Sequence, residues 1–461
     1  MACRLWPGSE QDDPWQVPEP VRSAPQDRGS TFPERERGET AAEKGLPLFC
    51  KKRAGVLTRL WRRLRNFRKN RRYNVKYDSI VVGAGFSGAV AARELAEAGK
   101  SVLVIDKRAQ IGGNMYDAPD SNGVLVHWYG PHIFHTSSKE VFDYLRRFSN
   151  WQPYEHRVLG RIDGKLVPIP FNFRSLDLLF PDAQAKAVKE KLTAAFPNQQ
   201  KASVLDLMNA EEETIQSFGR YVFEKVFLHY TAKQWGTPPE QVDRSVINRV
   251  PVVLGYDDRY FQDDFQYMPE NGFTPIFEAM LGHPSITVRL NCEANEVLKL
   301  GREQGGIFFE DEEFTGPVVF TGAIDQLFGY AFGPLPYRSL NLIFEQEPVT
   351  DFQPAAVVNY PNEEAFTRIT EFKKLGGRQV EGSTTILKEY PMQYDPMGEK
   401  GNIPYYVISS PENLDRYRQY AGLAGSFPNL FLCGRLAEYK YYNMDAAVLR
   451  ALQLAKTILG R

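Results

Sequence analysis

The chain contains 461 residues, which is long enough for two or three domains, and 43% hydrophobic with 25% charged residues is typical of a globular protein. Its formal net charge of -1 excludes a general electrostatic attraction to nucleic acid or to an anionic membrane. The 4 cysteines are scattered without metal-binding spacing, no apolar run approaches the ~18–20 residues of a transmembrane helix, and the N-terminus lacks a hydrophobic secretory signal. We therefore expect a reduced, cytoplasmic protein without a nucleic-acid partner.

The N-terminal region differs in composition from the rest. Residues 1–50 are rich in Pro, Glu, Arg, Gly and Ser and show no periodicity, which predicts disorder. In residues 51–72 half of the positions are Lys or Arg, and apolar residues recur at helical spacing, which predicts a basic amphipathic helix. Such a helix could make weak contact with a membrane surface; a solvated, poorly folded tail is the alternative.

Residues 77–114 carry the pattern of a dinucleotide-binding βαβ unit. A run of β-forming residues ends in the glycine turn 83–88, a helical pattern continues to Ala98, and a second apolar run ends in Asp106. The glycines permit a tight turn, a close approach of the backbone to a pyrophosphate and close packing of helix on strand, while the helix N-terminus attracts phosphate. The carboxylate is placed to accept hydrogen bonds from an adenosine ribose. A tight turn without a ligand is the alternative.

A Gly-Gly pair at 112–113 follows the second strand. Such a pair is typical of FAD proteins of the glutathione-reductase-like kind, in which the chain passes close to the diphosphate and ribityl part of the flavin. An ordinary glycine loop would look the same. The pair nevertheless favours FAD over NAD as the dinucleotide.

The segment 124–136 contains His127, His132 and His135, three of the 6 histidines in the chain. A metal site would need a matching cluster of carboxylates or cysteines, which does not accompany them, so no metal is predicted. We expect these histidines in a pocket wall beside the flavin; histidines hydrogen-bonded within a packed loop are the alternative.

The remaining chain alternates between helical and extended patterns. Residues 157–167 predict a hairpin that turns at Asp163-Gly164, residues 176–246 are mostly helical, and residues 337–410 alternate, imperfectly, as in an antiparallel sheet. Further strands and a closing helix are predicted at 286–290, 318–322, 429–435 and 446–459. The fold class is therefore α/β, with a helical insertion.

From about Tyr77 to the C-terminus the chain resembles the UDP-galactopyranose mutases of the bacterial type. The motifs that carry the resemblance are GAGFSGAVAARELAEAG, IGGNMYD, YGPHIFHT, YTAKQWG, YDDRYF, TRITEFK, IPYY and GRLAEYKYYNMD. They follow one another in the order of the family. The resemblance implies an FAD-binding Rossmann-like domain, an inserted helical domain and an antiparallel β-sheet domain.

We expect four regions along the chain. They are a disordered tail at 1–75 with the basic helix at 51–72, an FAD-binding domain at 76–160, 268–325 and 425–461, a helical domain with a mobile loop at 174–248, and a substrate-binding sheet domain at 161–173, 249–267 and 326–424.

The resemblance also implies an activity. Family members isomerise UDP-galactopyranose to UDP-galactofuranose for galactofuranose-containing cell-surface glycans, and they need FAD in its reduced form. The reduced flavin N5 acts as the nucleophile on the sugar anomeric carbon, so no Ser-His-Asp or Cys-His set is required. A flavin reductant, not identified by the sequence, and a homodimer are further implications.

Site residues follow from the same resemblance. The catalytic set is Arg249, Arg368, Tyr406, Tyr441 and His135, with the two arginines on the diphosphate. The substrate-binding set is Asn172, Tyr230, Thr231, Trp235, Tyr260, Phe261 and Asn443. The cofactor-binding set is Gly83, Gly85, Phe86, Ser87, Asp106, Lys107, Gly113, Asn114, His132, Arg435 and Met444. Arginine forks suit the leaving diphosphate, and phenol hydroxyls can donate to it.

Two points depart from the family pattern. Many members have Asp at the position of Asn443, so a charge near the substrate phosphates or the flavin is missing here, and the first 76 residues lie outside the resemblance. Alternatives to the leading activity are the same ring contraction on UDP-N-acetylgalactosamine or UDP-arabinopyranose, an amine-oxidase-like FAD oxidoreductase, and a binding protein without catalysis.

Overall fold

The computed structural model describes residues 77–236, 251–301, 305–376 and 380–461, with the exception of the Trp235 side chain. The predicted tail at 1–75, its helix at 51–72 and Arg249 therefore lie outside the described residues. The same holds for the last part of the predicted helical domain, from residue 237 onward.

The strands, in chain order, are β1 Ser79–Val82, β2 Val102–Ile105, β3 Asp117–Pro119, β4 Leu125–His127, β5 Phe134–Thr136, β6 Trp151–Pro153, β7 Val158–Ile162, β8 Lys165–Ile169, β9 Lys201–Ala202, β10 Val252–Val253, β11 Phe265–Pro269, β12 Ile286–Arg289, β13 Leu298–Gly301, β14 Gly306–Phe309, β15 Glu312–Phe314, β16 Val318–Phe320, β17 Tyr337–Glu347, β18 Val357–Asn359, β19 Arg368–Glu371, β20 Thr384–Gln393, β21 Tyr406–Val407 and β22 Leu430–Leu432. The α-helices are α1 Phe86–Glu97, α2 Lys139–Leu145, α3 Phe173–Leu179, α4 Asp182–Ala195, α5 Val204–Met208, α6 Glu213–Val222, α7 His229–Trp235, α8 Thr274–Leu281, α9 Ala294–Val297, α10 Ile324–Leu327, α11 Pro411–Ala424 and α12 Met444–Ile458.

A parallel five-stranded sheet, in the order β12-β2-β1-β16-β22, forms the Rossmann-like part of the fold. Strands β1 and β2 are apolar and buried along their whole length, as expected for a sheet that is covered on both faces. Helix α1 buries small residues against this sheet, and α12 packs beside α1. The predicted βαβ unit is confirmed, with its second strand at 102–105. The carboxyl ends of β1, β2, β16 and β22 therefore point toward one edge, where ligands of open α/β sheets bind.

A seven-stranded sheet, in the order β21-β17-β20-β19-β18-β7-β8, forms the second layer. The predicted hairpin is confirmed: β7 and β8 pair antiparallel around the turn at Asp163-Gly164. One pair departs from the predicted antiparallel pattern, because β18 runs parallel to β7. A parallel pair requires a long crossover, and here the chain between β7 and β18 passes through the whole helical region.

The helical region, α3 to α7, packs on the β7–β8 hairpin. Its buried residues, which include Leu192, Leu207 and Phe218, form one core with Val158 and Ile162 of the hairpin. Between α6 and α7 the residues Phe223–Leu228 form a π-helix. Helix α7 ends at Gly236, which adopts a positive φ of 63°. This region thus forms one wall of the space above the parallel sheet.

Three strand pairings do not follow the predicted domain boundaries. The prediction places residues 249–267 in the substrate-binding sheet, but β10 pairs with β9 of the helical region and β11 pairs with β5 and β6. The aromatic face of β11 explains its place, because Phe265 and Tyr267 stack on Phe142 with ring centroids 5.0 and 4.5 Å away. Strand β7 also crosses the predicted boundary at residue 160.

In the described part of the chain, no helix combines the length and the apolar character needed to span a membrane.

Candidate active site

A cavity of about 1220 Å³ lies where the parallel sheet, the seven-stranded sheet and α7 meet. Ligand pockets usually measure roughly 300–1,000 Å³, so this one has room for a dinucleotide together with a second ligand. Its wall includes every predicted cofactor residue, namely Gly83, Gly85, Phe86, Ser87, Asp106, Lys107, Gly113, Asn114, His132, Arg435 and Met444. The placement agrees with the predicted roles of these residues, and the roles themselves stay predictions.

The floor of the cavity is built from glycines that come close to one another. A Cβ atom on Gly113 would lie 3.0 Å from the Cα of Gly85, and a Cβ on Gly83, which has a φ of +105°, would lie 2.0 Å from Oγ1 of Thr321. A Cβ on Gly88 would lie 1.9 Å from the carbonyl oxygen of Gly83, so α1 can pack against the turn only with glycine there. These contacts leave a surface without side chains, over which a pyrophosphate can meet backbone N–H groups at the start of α1.

Asp106 is held in place by backbone donors at the end of β2. Its Oδ2 accepts a hydrogen bond from the N–H of Ala84 at 2.8 Å, and its Oδ1 accepts one from the N–H of Arg108 at 2.9 Å. A carboxylate has about four acceptor positions, so this one can still accept hydroxyl donors from the cavity. The geometry suits the predicted contact with a ribose.

Three buried polar atoms on the cavity wall have no hydrogen-bond partner among the described residues. They are Nη1 of Arg108, Nδ1 of His132 and the hydroxyl of Tyr405. The Arg108 guanidinium lies 4.2 Å from the ring centroid of Tyr129, and its Nη2 donates to Oδ1 of Asn114 at 2.8 Å. Buried polar groups are normally paired, so these atoms indicate a polar ligand in the cavity, and a flavin dinucleotide fits the residues present.

A second part of the wall carries the predicted phosphate ligands. Arg368, on β19, lies near Tyr230, Tyr260 and Tyr406, and Tyr441 stacks on Tyr406 with ring centroids 6.1 Å apart; all of them line the cavity. Nε of Arg368 donates to Oε1 of Glu389 at 2.6 Å. Burial disfavours the charge of Arg368, but the Glu389 carboxylate together with Tyr230 and Tyr406 outweighs burial and raises the pKa of the guanidinium.

The hydroxyls of Tyr230, Tyr260 and Tyr406 stay protonated. Burial raises the pKa of Tyr406 to about 12, although the positive charge of Arg368 opposes the shift. Burial also raises the pKa of Tyr230 and of Tyr260, again opposed by Arg368. Together these residues offer one fixed cation and several O–H donors, which is what a diphosphate requires.

Aromatic rings form the side of the cavity near β5. The ring of His135 stacks on Phe261 with centroids 3.6 Å apart, and Nδ1 of His135 lies 2.9 Å from Oδ2 of Asp263. Thr231, on α7, is buried and also lines the cavity. This stacked pair offers a flat surface on which a planar ring can pack.

Several positively charged or neutral groups surround the predicted flavin position. Burial, followed by the positive charges nearby, lowers the pKa of His132 to about 3, so its imidazole stays neutral. Nη1 and Nη2 of Arg435 donate to the carbonyl oxygens of Tyr405 and Tyr442 at 2.9 and 2.6 Å, and its guanidinium lies 4.8 Å from the Tyr441 ring centroid.

Asn443 lines the cavity at the start of α12, where its side chain makes no capping hydrogen bond. Its amide is therefore available to a ligand.

The structure does not place Asn172 on the cavity wall, in contrast to its predicted contact with substrate. The side chain is fully buried and caps α3, accepting hydrogen bonds from the N–H groups of Arg174 and Ser175. Its amide nitrogen donates to the carbonyl oxygen of Asp257 and to Oδ1 of Asp258 at 3.1 and 2.9 Å. The side chain thus has full hydrogen bonding within the protein, because the loop that carries it also begins a helix.

Two predicted site residues cannot be placed. Arg249 lies outside the described residues, and Trp235 is described only as the last residue of α7.

Sequence reasoning missed Arg108, Tyr405, Glu389 and His156, which lie in or behind the cavity wall. Arg108 could have been found from its position two residues after Asp106, and Tyr405 from its place in the IPYY motif. Glu389 and His156 carry no local signal, because only the pairing of distant strands brings them to Arg368 and Phe261.

No group of three or more His, Cys, Asp or Glu side chains in the described ranges has a geometry that could hold a metal ion.

Comparisons with known proteins agree with this geometry. The family model described as UDP-galactopyranose mutase matches residues 225–441, and a model for an NAD(P)-binding Rossmann-like domain matches residues 81–148. The chain is 37% identical over 388 residues to the UDP-galactopyranose mutase of Mycoplasma pneumoniae, covering 83% of this chain and 96% of the relative. It is 34% identical to the dTDP-fucopyranose mutase of Escherichia coli, covering 82% and 97%.

The fold is shared with solved flavoproteins. The structure of a reduced UDP-galactopyranose mutase matches with a TM-score of 0.59 at 18% identity, over 84% of this chain and 94% of that chain. At this identity the match shows the fold, which is α/β with a Rossmann-like part that carries a flavin-type cofactor site. Since the identity to the Mycoplasma pneumoniae enzyme extends over nearly the whole length of that enzyme, the chain belongs to the UDP-galactopyranose mutase family.

Proposed function

We propose that this protein isomerises UDP-galactopyranose to UDP-galactofuranose with FAD in its reduced form. The observation that supports this most directly is a cavity in which a glycine-floored dinucleotide site meets a partly buried arginine that lies among tyrosines. Hydride transfer by itself needs only the first feature, whereas a diphosphate substrate also needs fixed cations and hydrogen-bond donors. The family membership supports the same activity.

In this proposal the reduced flavin supplies the nucleophile for the sugar anomeric carbon. Arg368 and Arg249 bind the diphosphate, and the hydroxyls of Tyr230, Tyr260, Tyr406 and Tyr441 donate hydrogen bonds to it. Because the pKa of Tyr406 is raised to about 12, its hydroxyl keeps its proton and remains a donor as UDP leaves and returns. In this proposal the protein stabilises the departed UDP by hydrogen bonds to its diphosphate and does not transfer a proton to the diphosphate oxygen.

The remaining residues bind, orient and exclude water. Phe261 packs against the uracil, His135 and Thr231 line the sugar side, and Asn443 donates its amide where many relatives place a carboxylate. The turn 83–87 and Asp106 hold the adenosine half of FAD, and Gly113, Asn114 and Arg108 hold its central part. His132, Arg435 and Met444 surround the flavin ring, with His132 neutral so that it can accept or donate one hydrogen bond.

A second substrate deserves a direct comparison. The Escherichia coli relative, named a dTDP-fucopyranose mutase, is 34% identical to this chain, which is close to the 37% of the Mycoplasma pneumoniae relative. The two substrates differ in the nucleobase, in the 2′-hydroxyl of the ribose and at the sugar C6 position, while the diphosphate is common to both. Ring contraction of a deoxythymidine-diphosphate sugar is therefore the alternative.

One assay separates these activities. Purified, FAD-loaded protein is reduced with dithionite and incubated with UDP-galactopyranose or dTDP-fucopyranose, and the furanose product is measured by chromatography; oxidised protein is the control. We expect conversion of UDP-galactopyranose by the reduced protein alone. Absence of turnover with intact FAD would contradict the proposal, and faster conversion of the deoxythymidine substrate would favour the alternative.

We further propose that the enzyme works in the cytoplasm as a homodimer, supplied with electrons by a separate reductase. The scattered cysteines and the family resemblance motivate this proposal. Light scattering that gives a monomeric mass would argue against the dimer.

The basic segment 51–72 is tested separately. Deletion of residues 1–72 should leave catalysis intact, and binding to anionic vesicles that is lost on deletion would support membrane contact through 51–72.

A further inference from the structure

Lys233, on α7, is a half-buried cation that binds backbone carbonyls instead of a carboxylate. Its Nζ donates to the carbonyl oxygens of Tyr360, Glu364 and Phe366 at 2.6, 2.9 and 3.4 Å. The carboxylate of Glu364 pairs with Arg161 at 3.1 Å. A compact ammonium has three donors, and here all three are used on one short stretch of chain.

The stretch that Lys233 binds leads directly to Arg368. Residues 360–367 connect β18 to β19, and Asn359 and Arg368 face each other as the last and first residues of these strands. The N–H of Tyr360 donates to the carbonyl oxygen of Thr367 at 2.8 Å, so the connection is closed immediately beside Arg368. Both Asn359 and Arg368 line the cavity. A displacement of this connection would therefore shift Arg368.

The helix that carries Lys233 contributes the opposite wall. Tyr230, Thr231 and Gln234 of α7 line the cavity, and Lys233 points from the same helix toward the connection. The end of α7 is bound by Arg338 of β17, whose Nε donates to the carbonyl oxygen of Gln234 at 3.0 Å and whose Nη2 donates to that of Lys233 at 3.3 Å. The helix is thus attached to the seven-stranded sheet in two ways, through the carbonyl oxygens of Lys233 and Gln234 and through the ammonium group of Lys233.

We propose that Lys233 is a positioning residue for the diphosphate site: it holds the connection 360–367 against α7, so that the hydroxyl of Tyr230 and the guanidinium of Arg368 face the same point in the cavity. This inference rests on the proposed function, since it assigns the bound group as the diphosphate of a nucleotide sugar. Lys233 itself donates all of its hydrogen bonds within the protein and acts only through these two neighbours.

The proposal has a specific consequence for binding. Without the ammonium, three carbonyl groups lose a charged donor and the connection can move away from α7. The diphosphate would then lose simultaneous contact with Tyr230 and Arg368, whereas the surface at Phe261 that packs against the nucleobase is held by His135 and would remain. Affinity for UDP should fall while affinity for uridine should not.

The test compares FAD-loaded wild-type protein with Lys233→Met. Binding of UDP is measured by calorimetry and binding of uridine by ligand-observed NMR titration. We expect the dissociation constant of UDP to rise about tenfold, because small misplacement of binding groups is costly, with that of uridine unchanged. Lys225→Met is the matched control: Lys225 also attaches the helical region to the sheet, through Asp163 at 2.7 Å, but at the far end of the β7–β8 hairpin.

The outcomes separate this inference from the proposed function. Wild-type protein that binds no UDP would overturn both. Wild-type protein that binds UDP, together with a Lys233→Met variant that keeps its UDP affinity or loses UDP and uridine affinity equally, would overturn the positioning role alone. If Lys233→Met fails to load FAD, Lys233→Gln replaces it, because the glutamine amide keeps two N–H donors. Its affinities for UDP and uridine are then compared in the same way.

Discussion

Arg368 and Glu389 form an ion pair across two neighbouring strands, with Nε of the arginine 2.6 Å from Oε1 of the glutamate. The register of β19 and β20 places the two residues directly opposite each other, and the glutamate side chain is 2% exposed. Since the carboxylate occupies the Nε edge, the Nη groups are the ones that can meet an anion in the cavity. A partly buried arginine paired with a buried carboxylate in this way is suited to bind a diphosphate repeatedly without losing its orientation.

We expect Arg368→Ala to lower kcat with UDP-galactopyranose by roughly 10²–10³-fold, because it removes a preorganised cation at the leaving group. The visible absorbance of bound FAD per protein should stay at the wild-type value, since Arg368 lies away from the glycine floor. Arg146→Ala, at an exposed arginine paired with Asp143, is the control and should keep normal rates. A near-normal rate for Arg368→Ala would show that the diphosphate binds elsewhere.

The contact between Gly88 and Gly83 predicts a steric limit at the start of α1. A Cβ at Gly88 would lie 1.9 Å from the carbonyl oxygen of Gly83, so Gly88→Ala should move the helix, lower the free energy of unfolding by about 1–3 kcal/mol and reduce FAD loading. Urea unfolding and the ratio of flavin to protein absorbance would measure both effects. Gly422, inside α11, has open space around it, so Gly422→Ala should be neutral or stabilise the protein by about 0.5–1 kcal/mol. Equal behaviour of the two variants would contradict this account.

Buried histidines predict loss of stability in acid. Burial, followed by the charge of Arg368, lowers the pKa of His156 from 6.5 to about 3. Below pH 6.5 the unfolded chain therefore binds a proton that the folded chain does not accept until about pH 3, so stability decreases as the pH falls through this range. One such histidine contributes about 1.4 kcal/mol per pH unit to the slope.

The variant His156→Gln should reduce the slope of the unfolding free energy against pH by this amount between about pH 6 and pH 4, as measured by urea unfolding. Gly422→Ala, which removes no titratable group, is the control, and its slope should not change. An unchanged slope in His156→Gln would mean that the histidine is protonated in the folded protein.

The hydrogen bond between His127 and His132 predicts that substitution of His127 changes the environment of the flavin. Its Nδ1 accepts a hydrogen bond from the N–H of His132 at 3.0 Å, and its side chain is buried. His127→Phe leaves this N–H without an acceptor, which should cost about 1–3 kcal/mol in unfolding free energy and change the visible spectrum of bound FAD as His132 moves.

The matched control is His283→Phe, because Nδ1 of His283 also accepts a backbone hydrogen bond, from Ser285 at 3.2 Å, but His283 does not line the cavity. This variant should leave the flavin spectrum unaltered. Identical spectra for wild-type protein and His127→Phe would refute a link between His127 and the cofactor.

The local pattern of the sequence was sufficient for the elements whose causes are local. Alternation, helical spacing and turn residues lie within a few positions of one another, so the βαβ unit from β1 to β2 and the hairpin at Asp163-Gly164 could be predicted closely. The glycine turn also carries its own steric reason, since Gly83 and Gly88 are only five positions apart. The family resemblance added the candidate residues of the cavity, but it did not supply their contacts.

The tertiary structure alone decided how distant segments meet. The partnership of Arg368 with Glu389, the attachment of the connection 360–367 by Lys233 and the parallel pairing of β18 with β7 depend on strand order and register, which leave no signal in a short stretch of sequence. The same reason explains why Asn172 lies off the cavity wall: whether an amide contacts a ligand or caps a helix depends on which groups the folded chain brings within hydrogen-bond distance. The sequence by itself thus determined individual strands, turns and helices, and long-range packing determined which of them line the same cavity.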